Sequence, residues 1–344
     1  STFTSTTDSE VIAYLLANAP EPTWEERIFH CMRTMQGAFS LVALTPNTLL
    51  AARDPLGIRP LCLGKMNGGW VVASETCALE HLGATFVREV EPGEAVVIDE
   101  AGLRSAIWSG TKDNRALCVF ELIYFARPDS CLDGELVYSK RKDMGAQLAL
   151  EHPVEADLVI GIPDSSTAAA VGYAQQSGIP YSDGLIKNRY VGRTFIEPEQ
   201  HLRDLGVRQK FNPLTQVIQG KKLVVVDDSI VRGTTTPHVV SLLRRAGADE
   251  VHLRVCAPPI KNPCYMGVDM ASRDELIAAN RTIEEIREMT DADSLGYLSI
   301  QGLLKVVGGS QGGFCDACFT GNYPVPVQLE LTKLHSGQSK PPGS

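Results

Sequence analysis

Through the first hundred residues, short apolar stretches recur between turn residues at the spacing of β-strands: GAFSLVALT, NTLLAARD, PLCLGKM, GWVVAS and EAVVIDEAGL. One helix is predicted ahead of them, over residues 8–16, with Thr6 or Thr7 as its N-cap. Together these predict a layered α+β sandwich. From about Ala106 the rhythm changes. The apolar runs DLVIGIP, KKLVVVDD and EVHLRVCAP now alternate with helical stretches, predicted over residues 166–177, 237–246 and 283–290. That alternation is the mark of a parallel sheet wound by crossover connections, so the second half is read as α/β. The chain thus divides into 1–105 and 106–328, and the polar, Pro/Gly-rich stretch 329–344 is read as a fraying tail. There is no internal repeat.

A chain of 344 residues suits two cores better than one. It has no apolar run of membrane-spanning length, which argues against a membrane protein. The formal charge of −9, without a basic stripe interleaved with aromatics, argues against a nucleic-acid surface but leaves room for a locally held anion. The first residues lack the pattern of a signal or transit peptide, and a cytoplasmic protein is expected. Nine cysteines, an odd number at low density, point to thiols or metal ligands rather than a disulfide framework. Cys315 and Cys318 form a CxxC pair.

Open parallel sheets hold ligands beyond the carboxyl ends of their strands, where GIPDSS (161–166) and VVVDDSIVRGTTT (224–236) both fall. Asp227 and Asp228 end an apolar strand, and two buried like charges need hydroxyls or a cation to meet them. Ser229, Thr234, Thr235 and Thr236 supply hydroxyls. A helix with Pro237 or His238 as its second residue would add free backbone donors. Such a turn can cradle a phosphate, and carboxylates beside it imply a sugar or a metal between. It is not a Walker loop, since no Gly-Lys-Ser/Thr closes it. A DD pair alone equally suits an ordinary strand-to-helix turn with solvated aspartates.

The whole stretch resembles the phosphoribosyl-pyrophosphate (PRPP) signature of type I phosphoribosyltransferases. Seven segments in order resemble one family, glutamine phosphoribosylpyrophosphate amidotransferase: CVFELIYFARPDS, GIPDSS, KNRYVGRTFI, VRQKFNP, VVVDDSIVRGTTT, PPIKNPCYMGVDM and CDACFTGNYP. The resemblance implies a type I phosphoribosyltransferase parallel-sheet domain preceded by a partial N-terminal-nucleophile glutaminase sandwich. It further implies the first committed step of purine synthesis, in which PRPP and ammonia give phosphoribosylamine and pyrophosphate, with glutamate as a further product where glutamine and water supply the ammonia. Asp227 and Asp228 would hold the ribose and Mg²⁺. Ser229, Arg232, Gly233, Thr234 and Thr235 would hold the 5′-phosphate, with Asp164, Ser165 and Ser166 on the pyrophosphate side. Lys187, Tyr190, Arg193 and Lys210 lie in a loop that closes over PRPP in the family, where they would neutralise pyrophosphate and exclude water. A homotetramer inhibited by purine nucleotides is also implied.

Cys118, Cys264, Cys315 and Cys318 fall in matching segments and resemble the [4Fe–4S] ligands of one subclass of the family; on donor chemistry alone zinc would suit equally. In the sandwich, Asp8 would grip the α-amino group of glutamine, although a helix-capping acid reads the same locally. The family's cysteine nucleophile, arginine-bearing segment and Asn-Gly oxyanion pair have no counterpart here. Ser1 matches a position inside the domain, and Asn67-Gly68 reads as a hairpin turn. The expectation is therefore a chain lacking part of its glutaminase domain and its glutamine hydrolysis. Two other functions fit the acid motif: a base phosphoribosyltransferase, or a PRPP-binding regulator.

Overall fold

The structure is a computed structural model that describes residues 3–108, 115–188, 190, 210–268, 270, 272–308 and 313–327. Its first part layers two helices, α1 (Asp8–Asn18) and α2 (Trp24–Thr34), on an antiparallel sheet. That sheet runs β1 (Ser40–Leu44), β2 (Leu49–Arg53), β6 (Glu94–Asp99), β7 (Gly102–Ile107). A second antiparallel sheet packs behind it, in the order β4 (Gly69–Ala73), β3 (Cys62–Met66), β5 (Thr85–Glu89), with the short α3 (Thr76–His81) on its far side. Period-two alternation builds the layers. Leu50, Ala52, Ala95 and Val97 face α1 and α2, while Ala51 and Val96 face Leu61 and Leu63 of the other sheet.

Several sequence expectations change here. The sandwich has three helices rather than one. Thr23 and Glu26 form a reciprocal capping box that starts α2, and Ile28, Cys31 and Met32 on one face bury it. EAVVIDEAGL is not one strand, because the chain turns after Asp99 and pairs back as β7. β5 was not foreseen. Asn67-Gly68 does form the two-residue hairpin turn between β3 and β4.

A parallel strand β8 (Ala116–Cys118) joins the two parts, since Ala116 and Cys118 donate their N–H to the carbonyls of Leu56 and Ile58. After it come one π-helical turn, Glu121–Phe125, a small hairpin of β9 (Cys131–Leu132) and β10 (Glu135–Leu136), and α4 (Val137–Glu151). The central parallel sheet then runs β11 (Leu158–Gly161), β14 (Lys222–Asp227), β15 (Glu250–Val255), β16 (Ser294–Tyr297), with α5 (Thr167–Ser177) crossing after β11. An antiparallel pair, β12 (Leu185–Lys187) and β13 (Phe211–Pro213), lies between. Val224 and Val226 face α4 and α5, and Leu223 and Val225 face the helix Thr235–Arg245. That helix starts two residues earlier than expected, so Pro237 is its third residue, still among the first-turn positions whose N–H has no intrahelical partner. Near its end the described chain adds β17 (Gly313–Cys315), parallel to β8. No helix among the described residues is long and apolar enough to cross a membrane.

α4 and α5 meet backbone to backbone. A Cβ on Gly145 would overlap the Ala169 carbonyl, and one on Gly172 the Lys142 carbonyl. Each change to Ala is therefore expected to lower stability by about 1–3 kcal/mol, because backbone rather than a flexible side chain must give way. Denaturant titration of the two variants checks this, and an unchanged midpoint for both would contradict the contact.

Candidate active site

β14 carries apolar Leu223 to Val226 into the middle of the sheet and ends on Asp227, whose neighbour Asp228 opens the next turn. Both aspartates are less than a tenth exposed. Hydroxyls meet them: Ser165 Oγ and Ser229 Oγ donate to Asp228, the latter at 2.6 Å, and Ser166 Oγ donates to Asp227 at 3.4 Å. The Asp228 N–H also donates to Asp227 Oδ1 at 2.9 Å. Burial pushes both carboxyls above the usual range, and for Asp227 the adjacent Asp228 charge adds to it. The serines reach across because β11 ends in register beside β14, with Ile162 N–H bonded to the Val226 carbonyl at 2.9 Å.

Beyond Ser229 the chain turns into the helix Thr235–Arg245, with Thr234 as N-cap. The Thr234 side chain makes no capping bond among the described residues, so the helix start lies open to an anion beside the acid pair. Gly233 sits at φ 69° against Ile277, where a side chain would have neither the backbone freedom nor the space. Arg232 flanks this turn, but its guanidinium is tied to Glu275 at 2.8–2.9 Å.

Of the loop residues, the base is described. β12 and β13 pair antiparallel with Lys187 opposite Phe211, which brings Lys187 and Lys210 near each other, and Asn188 N–H donates to the Lys210 carbonyl at 2.7 Å. Lys187 Nζ contacts Asp164 Oδ2 at 2.7 Å. Burial, then the Lys187 charge, pushes the Lys210 ammonium below its ordinary value, while Asp227 and Asp228 pull the other way. Tyr190 is fully exposed. Arg193 lies outside the described residues. The structure thus brings Asp164, Ser165, Ser166, Lys187, Lys210, Asp227, Asp228 and Ser229 to one sheet edge, with the Gly233 to Thr235 turn beside them.

Two residues of this region were not singled out from the sequence. Arg141, on α4 and 3% exposed, lines a small crevice with Ser165, Ser166 and Asp228. Tyr297, at the end of β16, buries a hydroxyl with no partner among the described residues. Arg141 reads as one more solvated cation in KRKDMG, and only its burial distinguishes it.

The four candidate cysteines gather elsewhere. Cys315 pairs beside Cys118 in the β17–β8 ladder, and Lys261 and Asn262 donate their N–H groups to the Cys318 carbonyl at 2.9 and 3.0 Å, bringing the Cys264 segment over. Burial, then the charges of Cys118, Cys315 and Cys264, raises the Cys318 thiol, and burial together with Glu121 pushes Cys118 up to about 12. Among the described residues, no three His, Cys, Asp or Glu side chains converge as ligands of one metal ion would. Asp8 stands exposed in the first turn of α1, next to its N-cap Thr7.

A family model of the glutamine amidotransferase domain matches residues 1–81, and one of the phosphoribosyl transferase domain matches residues 130–277. The chain is 50% identical over 336 residues to an amidophosphoribosyltransferase of Synechococcus elongatus, covering 96% of this chain and 68% of that protein. It is 48% identical over 339 residues to the amidophosphoribosyltransferase of Bacillus subtilis, covering 97% and 71%. Among solved structures it matches glutamine PRPP amidotransferase from B. subtilis complexed with ADP and GMP, at a TM-score of 0.88 and 48% identity, over 96% of this chain and 73% of that one.

Proposed function

The chain belongs to the amidophosphoribosyltransferase family, and from that premise we propose that it transfers the phosphoribosyl group of PRPP to ammonia. The observation that carries the reading is the buried acid pair at the end of the central strand, met by three serine hydroxyls and followed by an uncapped helix start. Asp227 and Asp228 take the ribose hydroxyls, exchanging crowded like charge for neutral donors. Ser229, Thr234 and Thr235, with Arg232 and Gly233 shaping the turn, take the 5′-phosphate on free N–H groups. Asp164, Ser165 and Ser166 border the pyrophosphate, and Lys187 and Lys210 bring positive charge to that side. Tyr190 and Arg193 complete the closing loop in this reading.

The bond from C1 of the ribose to the pyrophosphate oxygen breaks with its electron pair on pyrophosphate, ammonia bonds to C1, and the new amine loses a proton. Exclusion of water matters because hydroxide would trap the same centre. Mg²⁺, held through Asp227, Asp228 and the substrate, would neutralise the departing pyrophosphate. Glutamine as the ammonia source is assigned to the N-terminal part, with Asp8 as the group that binds its α-amino end. The B. subtilis structure holds ADP and GMP, and a cradle for a 5′-phosphate would take a nucleotide's phosphate too, so purine nucleotides are proposed as inhibitors competitive with PRPP. A cytoplasmic homotetramer belongs to the same proposal.

Cys118, Cys264, Cys315 and Cys318 are proposed to hold a [4Fe–4S] cluster in a structural role. Tetrahedral zinc at about 2.3 Å from each sulfur would draw four thiolates to about 3.8 Å of one another. A cluster takes one thiolate per iron and spreads them. The other three thiols lie near enough to raise Cys318, as either group requires, and metal analysis of the anaerobically purified protein decides between cluster and zinc.

Supplying PRPP, Mg²⁺ and ammonium and measuring pyrophosphate tests the main reading, and ammonium-dependent release is expected. Release that needs a purine or pyrimidine base instead would indicate a base phosphoribosyltransferase. PRPP binding without release would indicate a regulator.

A further inference from the structure

A line of charge, buried at Glu121 and Arg141, runs from the sandwich toward the acid pair. Arg59 belongs to the sandwich, where its carbonyl is held by Arg53 Nε at 2.8 Å and Ser40 Oγ at 3.1 Å. Its guanidinium crosses to the second part, pairing with Glu121 Oε1 at 2.7 Å and lying 5.0 Å over the Phe125 ring. Glu121 is 5% exposed and opens the π-helical turn, closed by Ala126 N–H on the Glu121 carbonyl at 3.1 Å. Such turns misalign carbonyls that an α-helix would satisfy, and they recur at functional sites. Here Arg141 fills them. Its Nε donates to the Leu122 carbonyl at 2.9 Å, and its Nη2 to those of Ala126 at 2.7 Å and Glu121 at 3.5 Å. Arg141 also lines the crevice with Ser165 and Asp228.

We propose that Arg141 is a positioning residue for Asp228, and that the Arg59–Glu121 pair, by fixing the turn that Arg141 grips, lets the N-terminal sandwich set the affinity of the site for PRPP. The inference rests on the reading of the acid pair as the ribose site. Three features support it. Among the described residues the pair is the cross-part ion pair that reaches the π-turn directly, and removing Arg59 would take away the charge that most offsets the burial of Glu121. A guanidinium fork suits three carbonyls at fixed angles, which an ammonium cannot match. The Gly145–Ala169 contact sets α4 against α5, placing Arg141 one turn away from that contact and beneath the loop that carries Ser165. Burial lowers the Arg141 guanidinium, and Asp228 is the strongest of the charges that oppose it.

The experiment compares Arg59→Met, Glu121→Gln, the double variant, Arg59→Lys and Arg141→Lys with the wild-type chain. Each is assayed for ammonium-dependent pyrophosphate release, for calorimetric PRPP binding and for thermal unfolding. Arg59→Met, Glu121→Gln and Arg141→Lys are expected to raise the KM and Kd for PRPP by about tenfold, with kcat changed less than about threefold. Arg59→Lys should restore most of the affinity, and the double variant should be no worse than either single one. A glue-only role predicts lower melting temperatures with PRPP affinity unchanged, and that result would overturn the proposal. If Arg59→Met does not fold, the isosteric Glu121→Gln decides by the same criteria. A wild-type chain that neither binds PRPP nor releases pyrophosphate would instead remove the ribose-site reading, and this inference with it.

Discussion

Replacing Asp228 by Asn is expected to cut PRPP-dependent pyrophosphate release by at least about a hundredfold, while the ligand-free protein melts no lower than the wild type. The two halves of this expectation share one cause. Asp227 and Asp228 are adjacent carboxyls under a tenth exposed, and burial disfavours the charge on each. Removing one charge relieves repulsion in the empty site. The neighbours tolerate the change, because serine hydroxyls rotate and can accept from the new amide as readily as they donate to the carboxylate. What the amide cannot do is draw the ribose hydroxyls and the cation that the carboxylate would hold. Asp227→Asn should behave alike, and thermal melts beside pyrophosphate assays check both. Variants with near wild-type kinetics would end the ribose assignment.

Cys318→Ser is expected to abolish bound iron and to loosen the segment that carries it. Anaerobically purified wild-type protein should be brown, with about four iron and four sulfide per chain, and the variant colourless. Cys318 is the thiol on which the other three act, and its carbonyl is the anchor for Lys261 and Asn262. The Tyr323 hydroxyl bond to the Pro263 carbonyl at 2.7 Å and the Tyr265–Tyr323 ring contact at 5.1 Å also hold residues 313–327 to the 260s, while the β17–β8 ladder holds them to residues 116–118. Limited proteolysis should therefore cut this region in the variant first. A colourless wild type loaded with zinc would overturn the cluster assignment.

The acid pair, its hydroxyls and the parallel sheet were legible because each rests on local pattern: an apolar run, a polar turn, a helix start. The hairpin at Asn67-Gly68 was legible for the same reason. α2 carried its signal in Thr23 and Glu26 three positions apart, yet its buried face is only Ile28, Cys31 and Met32 amid four charged residues and a histidine. EAVVIDEAGL hid a turn because its two-residue loop, Glu100-Ala101, carries none of the Asn-Gly or Gly-X pattern that marks such hairpins. Arg141 and Glu121 were not legible at all. Their burial follows from two glycines that bring α4 and α5 together and from a contact with Arg59 across 62 positions of chain, and neither has a periodicity to betray it.

The pairing of β8 with β17 bears on how the protein is made. Residues 116–118 leave the ribosome about two hundred positions before their partners at 313–315, and such distant contacts form late and slowly. Until then β8 has one open edge, and Cys118 waits without its three companion thiols. On the proposal that these four cysteines hold a cluster, iron delivered before residues 313–318 are made would find an incomplete ligand set, and a translation pause shortly after residue 118 should leave metal content unchanged.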